Sequence, residues 1–240
     1  MNHTNVIAID GPSGSGKSTI AKKLAQRLGT LYIDTGAMFR ALAYSAHSNN
    51  IDIHDESAMK EYISDIKIQY QTSDGALIKI NGKDLSEEIR EHHVSKLASI
   101  ISGIPCVRQF LLDFQRDLAK DRPCVMEGRD IGTVVFPTAF IKFFVTASIE
   151  VRAKRRLDQL NENGENSVDL DQLIKDVKKR DEKDTSREVA PLKVADDAQL
   201  IDTSSMDIES VLTKLVDLVK KKASELNVAI GMDESLNKSL

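Results

Sequence analysis

The stretch that decides the fold runs from Ile7 to Thr19 and reads IAIDGPSGSGKST. The apolar run Val6–Ile9 is typical of a buried strand, and the residues after it change to a glycine-rich turn. Four positions, at 11, 16, 17 and 18, meet the pattern G-x-x-x-x-G-K-[ST] of a phosphate-binding loop. Ile20, Leu24 and Leu28 then recur every four residues, so the stretch predicts a strand, a phosphate loop and a helix.

The residue types of this loop match the chemistry of a bound nucleoside triphosphate. Glycines let backbone N–H groups turn toward phosphate oxygens, and the helix that follows points its positive end at the anion. Lys17 is expected to reach the β- and γ-phosphates, and the hydroxyl of Ser18 is expected to bind Mg²⁺. The residues of this predicted phosphate-binding loop are Gly11, Pro12, Ser13, Gly14, Ser15, Gly16, Lys17, Ser18 and Thr19.

Charge and hydropathy exclude several classes of partner. The 240 residues include 33 Lys and Arg and 37 Asp and Glu, which gives a net charge of −4. This balance argues against a general nucleic-acid or anionic-membrane binder. No stretch approaches the length of a membrane span, and the first ten residues do not form a signal peptide. We therefore expect a cytoplasmic protein without nucleic-acid or membrane partners. We also expect a monomer, although the sequence itself does not determine the oligomeric state.

Polar residues follow two further predicted strands. The strand Leu31–Ile33 leads into Thr35 and Arg40, which are candidates for contact with a second ligand, although a helix cap and a solvated helix face explain them equally well. The strand 123–126 leads into Glu127 and Asp130, either of which is a candidate to hold Mg²⁺ through water.

Residues 63–105 interrupt the α/β pattern. Alternating apolar residues and two turn signals between 66 and 82 predict a small antiparallel sheet. The sequence leaves open whether this insert only packs or covers a substrate. The predicted core then comprises residues 1–62 and 106–226, and residues 227–240 form a polar tail.

A basic helix follows the strand at 141–147. Its charges are Arg152, Lys154, Arg155 and Arg156, and a polar segment at 161–166 comes next. A solvated helix face is the ordinary explanation for such charges, whereas the adjoining flexible segment favours a mobile basic lid over residues 152–168.

Together these residues resemble one family, the bacterial cytidylate kinases, which are nucleoside monophosphate kinases. The resemblance spans residues 5 to about 222. Its most distinctive blocks are 34–40, DTGAMFR, and 128–137, GRDIGTVVFP; they are joined by the phosphate loop and by 180–187, which precedes Ala-Pro-Leu at 190–192.

The resemblance implies a P-loop NTPase-type α/β fold, in which a parallel five-stranded sheet is flanked by helices and carries a small antiparallel monophosphate-binding insert and a mobile lid. It implies that ATP binds on the loop of residues 11–19 and that its γ-phosphoryl group is transferred to CMP or dCMP, with Mg²⁺ as cofactor. The implied catalytic residues are Lys17, Arg129, Arg155 and Arg156.

The resemblance also implies which residues bind the acceptor nucleotide. They are Thr35, Arg40, Ser99, Arg108, Arg129, Asp130, Arg180, Asp184 and Arg187. Arg40, Arg129 and Arg180 would bind the phosphate, Asp184 and Arg187 the sugar, and Ser99, Arg108 and Asp130 the base. Two positions depart from the family pattern: Glu127 stands where many members have Asp, and Thr35 where some have Ser.

Two alternatives stay open at this point. One is another small-molecule P-loop kinase, of uridylate or shikimate type, and the other is a nucleotide-binding regulator without turnover. A guanine-binding switch would carry Asn-Lys-x-Asp, which does not occur in the sequence, and a silent binder would be expected to lose Lys17 or the arginines.

Overall fold

A computed structural model describes residues 4–162 and 168–227, apart from the side chain of His92. The chain divides into two compact units. We call residues 1–33 and 119–240 the core unit and residues 34–118 the insert unit. Parts of two predicted segments lie outside the described residues, namely 163–167 of the lid and 228–240 of the polar tail.

The elements follow in chain order. The strands are β1 (Thr4–Asp10), β2 (Leu31–Asp34), β3 (Ile68–Tyr70), β4 (Ile78–Ile80), β5 (Lys83–Asp84), β6 (Cys124–Gly128), β7 (Ala139–Thr146) and β8 (Gln199–Asp202). The helices are α1 (Lys17–Leu28), α2 (Thr35–Ser48), α3 (Glu56–Ser64), α4 (His92–Ile101), α5 (Pro105–Leu118), α6 (Ile149–Glu162), α7 (Leu170–Ser186) and α8 (Ile208–Leu226). A 3₁₀ turn covers Glu88–Arg90 and a π-helical turn covers Ile131–Val135.

The core unit is built on a five-stranded parallel sheet in the order β2-β6-β1-β7-β8, which confirms the predicted fold class. The central strand β1 pairs with β6, with Ile9 opposite Glu127, and with β7, with Ile9 opposite Phe143. Because β1 is central, the loop that follows it lies at the carboxyl edge of the sheet between two neighbouring strand ends. This is the edge at which open α/β sheets bind ligands.

Helix α1 packs its apolar stripe against this sheet. Ile20, Leu24 and Leu28 are buried in one cluster with residues of β1, β7 and α8. The helix ends at Gly29, which has a φ of 62° and donates its N–H to the carbonyls of the preceding turn. The predicted four-residue spacing is therefore confirmed, and a glycine in the left-handed region ends the helix, as is common at helix C-termini.

Helices α6 and α7 pack on each other through a second cluster. Its buried members are Ala153, Leu160, Leu173 and Val177. Both helices belong to the core unit, so the basic residues of α6 and the charged residues near the end of α7 are held in one scaffold.

The insert unit contains helices α2 to α5 and the antiparallel sheet β3-β4-β5. Ile68 pairs with Ile80 and Tyr70 with Ile78, as the alternating pattern predicts. The unit extends from Asp34 to Leu118, so it contains the whole predicted insert of 63–105 together with α2, α3 and α5. These helices belong to it because α2 packs on α4 and β4, and α3 packs on α5.

Within the described residues, no single helix is long and apolar enough to cross a membrane. The pair His93–Ile101 and Pro105–Leu118, bent by 99°, meets the length and composition only when taken together. Its apolar side chains Val94, Ile101, Val107 and Leu111 are buried inside the protein.

Candidate active site

The phosphate loop, residues 11–19, packs tightly against its own unit. Gly11 has a φ of 152°, and a Cβ built there would lie 2.0 Å from the carbonyl oxygen of Val145 in β7. Gly14 has a φ of 76°, and a Cβ built there would lie 3.1 Å from the backbone oxygen of Arg152 in α6. Side chains at these positions would push the loop off β7 and α6, so the glycines are needed for packing as well as for phosphate approach.

Two arginines of α6 hold the carbonyl groups of this loop. Arg152 Nη1 donates to the carbonyl oxygen of Ser13 at 3.2 Å, and Arg155 Nη1 donates to that of Ser15 at 3.2 Å. In a trans peptide the C=O and the following N–H point in opposite directions. Fixing these two oxygens therefore turns the N–H groups of Gly14 and Gly16 away from α6, as an anion-binding loop requires.

Thr203, directly after β8, completes the support. Its hydroxyl oxygen lies 3.1 Å from the carbonyl oxygens of both Ser15 and Thr146, and it accepts from Arg155 Nη1 at 3.0 Å. Arg155 Nη2 also donates to the Thr203 carbonyl at 2.9 Å. The Arg155 guanidinium is thus engaged with backbone and hydroxyl oxygens around the loop, whereas the family resemblance implied a catalytic role for it without saying which lid arginine contacts the transferring phosphoryl group.

Arg152 is anchored on its other side by α7. Its guanidinium donates to both carboxylate oxygens of Asp181, at 3.0 and 2.6 Å, and its Nε donates to the carbonyl of Ala147 at 3.0 Å. The side chain is 4% exposed, so this two-pronged ion pair is largely shielded from water. The predicted mobile lid therefore begins with a residue that is fixed to the phosphate loop.

Lys17 lies at the start of α1 and folds back over the loop. It is 8% exposed, and its ammonium group donates to the carbonyl of Pro12 at 3.4 Å. This long hydrogen bond keeps the charge beside the loop, where a phosphate oxygen can replace the carbonyl as a stronger acceptor.

Ser18 and Glu127 form an oxygen-rich pair at the carboxyl ends of β1 and β6. Ser18 Oγ donates to Glu127 Oε2 at 2.8 Å, and the hydroxyl of Tyr32 donates to Glu127 Oε1 at 2.5 Å. A hydroxyl and a carboxylate are hard oxygen ligands, and Mg²⁺ in nucleotide sites takes one or two protein groups and completes its shell with phosphates and water. The residues present thus fit Mg²⁺, with Ser18 as ligand and Glu127 as ligand or water holder.

A denser metal site is not seen. In the part of the chain that the structure describes, no group of three or more His, Cys, Asp or Glu side chains is arranged to hold a metal ion.

Asp10 fixes a second loop beside the first. Its carboxylate accepts the N–H groups of Ile131 and Gly132, both at 2.8 Å, at the start of the π-helical turn that follows β6. The carboxyl is buried, and burial raises its pKa to about 7 because the two N–H donors only partly offset the loss of water. Asp10 thereby ties the segment carrying Arg129 and Asp130 to the strand that begins the phosphate loop.

The charged residues of this segment face the end of α7. Arg129 Nε donates to Asp184 Oδ2 at 3.2 Å, and Arg187 Nη2 lies 3.9 Å from Asp130 Oδ1. All four side chains are largely shielded from water. The core unit therefore brings together four of the predicted acceptor residues, and Arg180 lies on the same helix, one turn before Asp184.

The insert unit holds the other predicted acceptor residues. Thr35 is buried as the first residue of α2, and Asp34 caps that helix by accepting from Ala37 N–H at 3.0 Å. Arg40 donates to the second oxygen of Asp34 at 2.9 Å, and the hydroxyl of Tyr70 accepts the Asp34 N–H at 2.8 Å. Arg40 and Thr35 thus share the start of one helix.

Ser99 and Arg108 lie on successive helices of the insert unit, α4 and α5. Arg108 Nη1 donates to the carbonyl of Ser102 at 3.1 Å, and its guanidinium carbon lies 5.6 Å from the centre of the Phe39 ring. Ser99 is half-buried on α4, and its carbonyl accepts from the Ser102 hydroxyl at 3.0 Å. Ser102 is therefore a neighbour that the two residues share.

Comparison with known families decides the assignment. Residues 7–221 match the family model described as cytidylate kinase. The chain belongs to the cytidylate kinase family. Members of this family are phosphotransferases that act as nucleoside monophosphate kinases, so the chain is placed among enzymes of that class.

Curated cytidylate kinases are similar over almost their whole length. That of Caldicellulosiruptor bescii is 48% identical over 90% of this chain and 95% of its own, and that of Shouchella clausii is 46% identical over 91% and 97%. Among solved structures, a shikimate kinase from Bacteroides thetaiotaomicron has a TM-score of 0.45 at 17% identity, covering 90% of this chain and 98% of that chain.

Sequence reasoning missed four residues of this cytidylate kinase site. They are Asp10, Tyr32, Asp181 and Thr203. Asp10 directly precedes the loop motif and Asp181 directly follows Arg180, so proximity to a motif was an available signal for both. Tyr32 and Thr203 carry no such signal, because their roles depend on which strands become neighbours in the sheet.

Proposed function

We propose that this chain is a cytidylate kinase in activity, transferring the γ-phosphoryl group of ATP to CMP or dCMP and releasing ADP and CDP or dCDP. One observation carries the proposal. In this member of the cytidylate kinase family, Arg152 and Arg155 hold the Ser13 and Ser15 carbonyls of the phosphate loop, and Lys17 lies beside the loop. Membership of the family supports CMP or dCMP as the acceptor, and the phosphate loop supports ATP as the donor.

In the proposed reaction, a phosphate oxygen of CMP attacks the γ-phosphorus of ATP. The bond from that phosphorus to the β,γ-bridging oxygen breaks, and ADP leaves with the bond electrons. The acceptor phosphate is already anionic, so no protein group has to remove a proton. What the reaction requires from the protein is in-line positioning and positive charge around the transferring group.

Lys17 and the loop N–H groups supply much of that charge on the donor side. Lys17 exchanges the Pro12 carbonyl for a phosphate oxygen, and Ser18 with Glu127 would hold Mg²⁺. When bound, Mg²⁺ offsets the negative charge of the β- and γ-phosphate oxygens. Since Arg155 is engaged with Ser15 and Thr203, we assign it to holding the loop, and Arg156 keeps the catalytic role that the family resemblance implies.

On the acceptor side, Arg40, Arg129 and Arg180 are proposed to bind the CMP phosphate. Arg40 and Arg129 face carboxylates, Asp34 and Asp184, so a phosphate would exchange one anionic partner for another. Asp184 and Arg187 are proposed to bind the sugar, with Thr35 near the acceptor nucleotide.

The base is proposed to be recognised by Ser99, Arg108 and Asp130. Cytosine offers an amine donor and a ring-nitrogen acceptor, whereas uracil presents a carbonyl and an N–H at the same places. If Asp130 or Ser99 accepts from the amine and Arg108 donates to the ring nitrogen, uracil leaves both groups mismatched. Each unpaired buried polar group costs about 1–3 kcal/mol, so a preference for CMP over UMP of roughly 10² to 10⁴ is expected.

The experiment is an ADP-release assay with CMP, dCMP, UMP, AMP and GMP as acceptors. CMP or dCMP should give the highest kcat/KM. A higher value for UMP would replace the proposal by uridylate kinase activity, and ATP binding without transfer to any acceptor would favour a nucleotide-binding regulator.

Arg108→Met adds a test of base recognition in the same assay. It keeps much of the side-chain length but removes the donor, so the CMP to UMP preference should fall through loss of CMP turnover. An unchanged preference would mean that Arg108 serves its contacts with Ser102 and Phe39 and that the base is recognised elsewhere.

The cytoplasmic location, the monomeric state and the absence of nucleic-acid and membrane partners remain predictions. Native mass determination tests the monomer directly.

A further inference from the structure

The phosphate loop is held by groups that do not belong to it. Arg152 reaches the Ser13 carbonyl from α6, but a guanidinium on a flexible side chain needs a second anchor to stay in one place. The Ala147 carbonyl accepts from Arg152 Nε at 3.0 Å, and the charged anchor is Asp181 of α7, which accepts two hydrogen bonds from Arg152 at 3.0 and 2.6 Å. The route from α7 to the loop is therefore Asp181, then Arg152, then the Ser13–Gly14 peptide.

The geometry of this route affects the phosphate site through one peptide. With Arg152 bound to the Ser13 oxygen, the Gly14 N–H points the other way. Gly14 also packs on the Arg152 backbone, so a displaced Arg152 changes both the packing and the hydrogen bonding of the same peptide. A peptide that rotates presents its carbonyl oxygen to a phosphate instead of its N–H.

Asp181 shares its helix with the predicted acceptor residues. Arg180 precedes it, and Asp184, one turn further along α7, accepts from Arg129. One face of α7 thus provides a carboxylate for the arginine of α6 that holds the phosphate loop and another for an arginine of the predicted acceptor site.

We propose that Asp181 is a positioning residue for the phosphate donor, acting through Arg152 to orient the Ser13–Gly14 peptide of the phosphate loop. This inference rests on the proposed function for its substrate, ATP, but not for its acceptor. It assigns to Asp181 an effect on ATP affinity that is larger than its effect on CMP affinity or on folding.

The test is the dissociation constant for ATP, measured by calorimetry on the full chain without acceptor. Asp181→Asn keeps the size of the side chain but replaces one acceptor oxygen by an NH₂ group that faces the Arg152 donors. Since charge-assisted bidentate pairs are among the strong hydrogen bonds, we expect the Kd for ATP to rise about tenfold and the Kd for CMP to stay within about twofold.

Asp176→Asn is the matched control. Asp176 lies on the same helix and is exposed, and it accepts from the Gln172 amide at 2.9 Å. This variant removes the same charge from α7 and should leave the Kd for ATP unchanged. An equal effect of the two variants would overturn the proposal, because it would reduce Asp181 to a contribution of net charge.

A double variant tests the route itself. If Asp181 acts through Arg152, adding Asp181→Asn to Arg152→Lys should raise the Kd for ATP by less than about twofold beyond Arg152→Lys alone. Fully additive effects would overturn the proposal, as would wild-type ATP affinity in a folded Asp181→Asn protein. If Asp181→Asn does not fold, Asp181→Glu is measured by the same criteria.

The outcomes separate this inference from the proposed function. A chain that transfers no phosphoryl group to CMP, yet loses ATP affinity on Asp181→Asn, contradicts the function and supports the inference. If the wild-type chain phosphorylates CMP and Asp181→Asn leaves the Kd for ATP unchanged, the proposed function is supported and the inference about Asp181 is contradicted.

Discussion

The phosphate loop and the predicted acceptor residues use arginine in different ways. At the loop, Arg152 and Arg155 donate to the peptide oxygens of Ser13 and Ser15, which belong to the loop itself. Among the predicted acceptor residues, Arg40 faces the carboxylate of Asp34 and Arg129 that of Asp184. The first pair is bonded to the backbone of the loop, and the second pair is bonded to carboxylates, which we expect an anionic ligand to replace.

An arginine near a phosphate site can therefore have either of two partners, a peptide oxygen or a carboxylate. A peptide oxygen is a permanent partner, because releasing it would deform the backbone that binds the ligand. A carboxylate is a replaceable partner, because a phosphate can take its place without loss of charge pairing. If the two groups of arginines differ in this way, substitutions at the loop should affect ATP, and substitutions among the predicted acceptor residues should affect CMP.

Lys17→Ala should have the largest effect. The ammonium group of Lys17 lies beside the phosphate loop, on the Pro12 carbonyl, so the variant removes a positive charge from the place where the phosphates are expected to bind. Loss of a charge that stabilises the transition state typically lowers kcat by about 10² to 10³.

The ADP-release assay measures this loss, and circular dichroism checks that the variant folds. Near-wild-type turnover in a folded Lys17→Ala protein would contradict the assignment of the loop.

Arg40→Met should act on the acceptor alone. It removes the charge that faces Asp34 and keeps the aliphatic stem, so we expect KM for CMP to rise about thirtyfold and KM for ATP to change little. Steady-state kinetics with each substrate varied in turn decide this. A rise in KM for ATP of equal size would remove the distinction between the two groups of arginines.

Arg155→Lys should affect KM for ATP and not KM for CMP, and its effect should be smaller than that of Arg40→Met. Lysine keeps the charge but cannot donate in a fork to Ser15 and Thr203 together. We expect KM for ATP to rise about tenfold while KM for CMP stays within about twofold.

The same kinetic measurements would also reveal the outcome that contradicts this prediction. If kcat falls while KM for ATP is unchanged, Arg155 acts in the transfer step itself, in line with the catalytic role that the family resemblance implies.

Asp10→Asn tests the buried link between the two loops through the pH dependence of stability. The folded-state pKa of Asp10 is raised from 3.8 to about 7, so between these values the folded protein holds a proton that the unfolded chain releases. The contribution of Asp10 to stability is therefore fully present below the unfolded pKa and is lost as pH rises through the folded pKa. Relative to Asp10→Asn, the wild-type free energy of unfolding should fall by about 1 kcal/mol from pH 5 to pH 6.

Urea denaturation at a series of pH values measures this difference, and Asp74→Asn provides the control. Hydrogen bonding by Lys79 and Thr72 lowers the pKa of Asp74 to about 2, so its contribution is lost only as pH falls through that range. The difference between wild type and Asp74→Asn should stay flat from pH 5 to pH 6. A flat difference for Asp10→Asn as well would contradict a titrating Asp10.

Much of the fold follows from local sequence. The apolar run before Gly11, the four-residue spacing of α1 and the glycine at its end each carry their own physical cause, and the structure places each where the pattern indicates. Helix α3 was not predicted, although Asp55 caps it and its buried Met59 and Ile63 are four residues apart. That signal is as local as the others.

The site was less predictable because its contacts join distant strands. A basic run on α6 gives the charge of Arg152 and Arg155 but not the direction of either guanidinium, which is set by packing of α6 on the loop and on α7. The π-helical turn at Ile131–Val135 begins at two N–H groups that Asp10 accepts, more than 120 residues earlier in the chain. No local pattern contains that information.

Thr203 has a consequence for the order in which the protein is made. Its hydroxyl contacts the phosphate loop at Ser15 across 188 residues of sequence. During synthesis the loop leaves the ribosome 188 residues before Thr203 does. Ser15 and Arg155 therefore gain their shared partner only after β8 has been made, so the full support of the phosphate loop forms late relative to the loop itself.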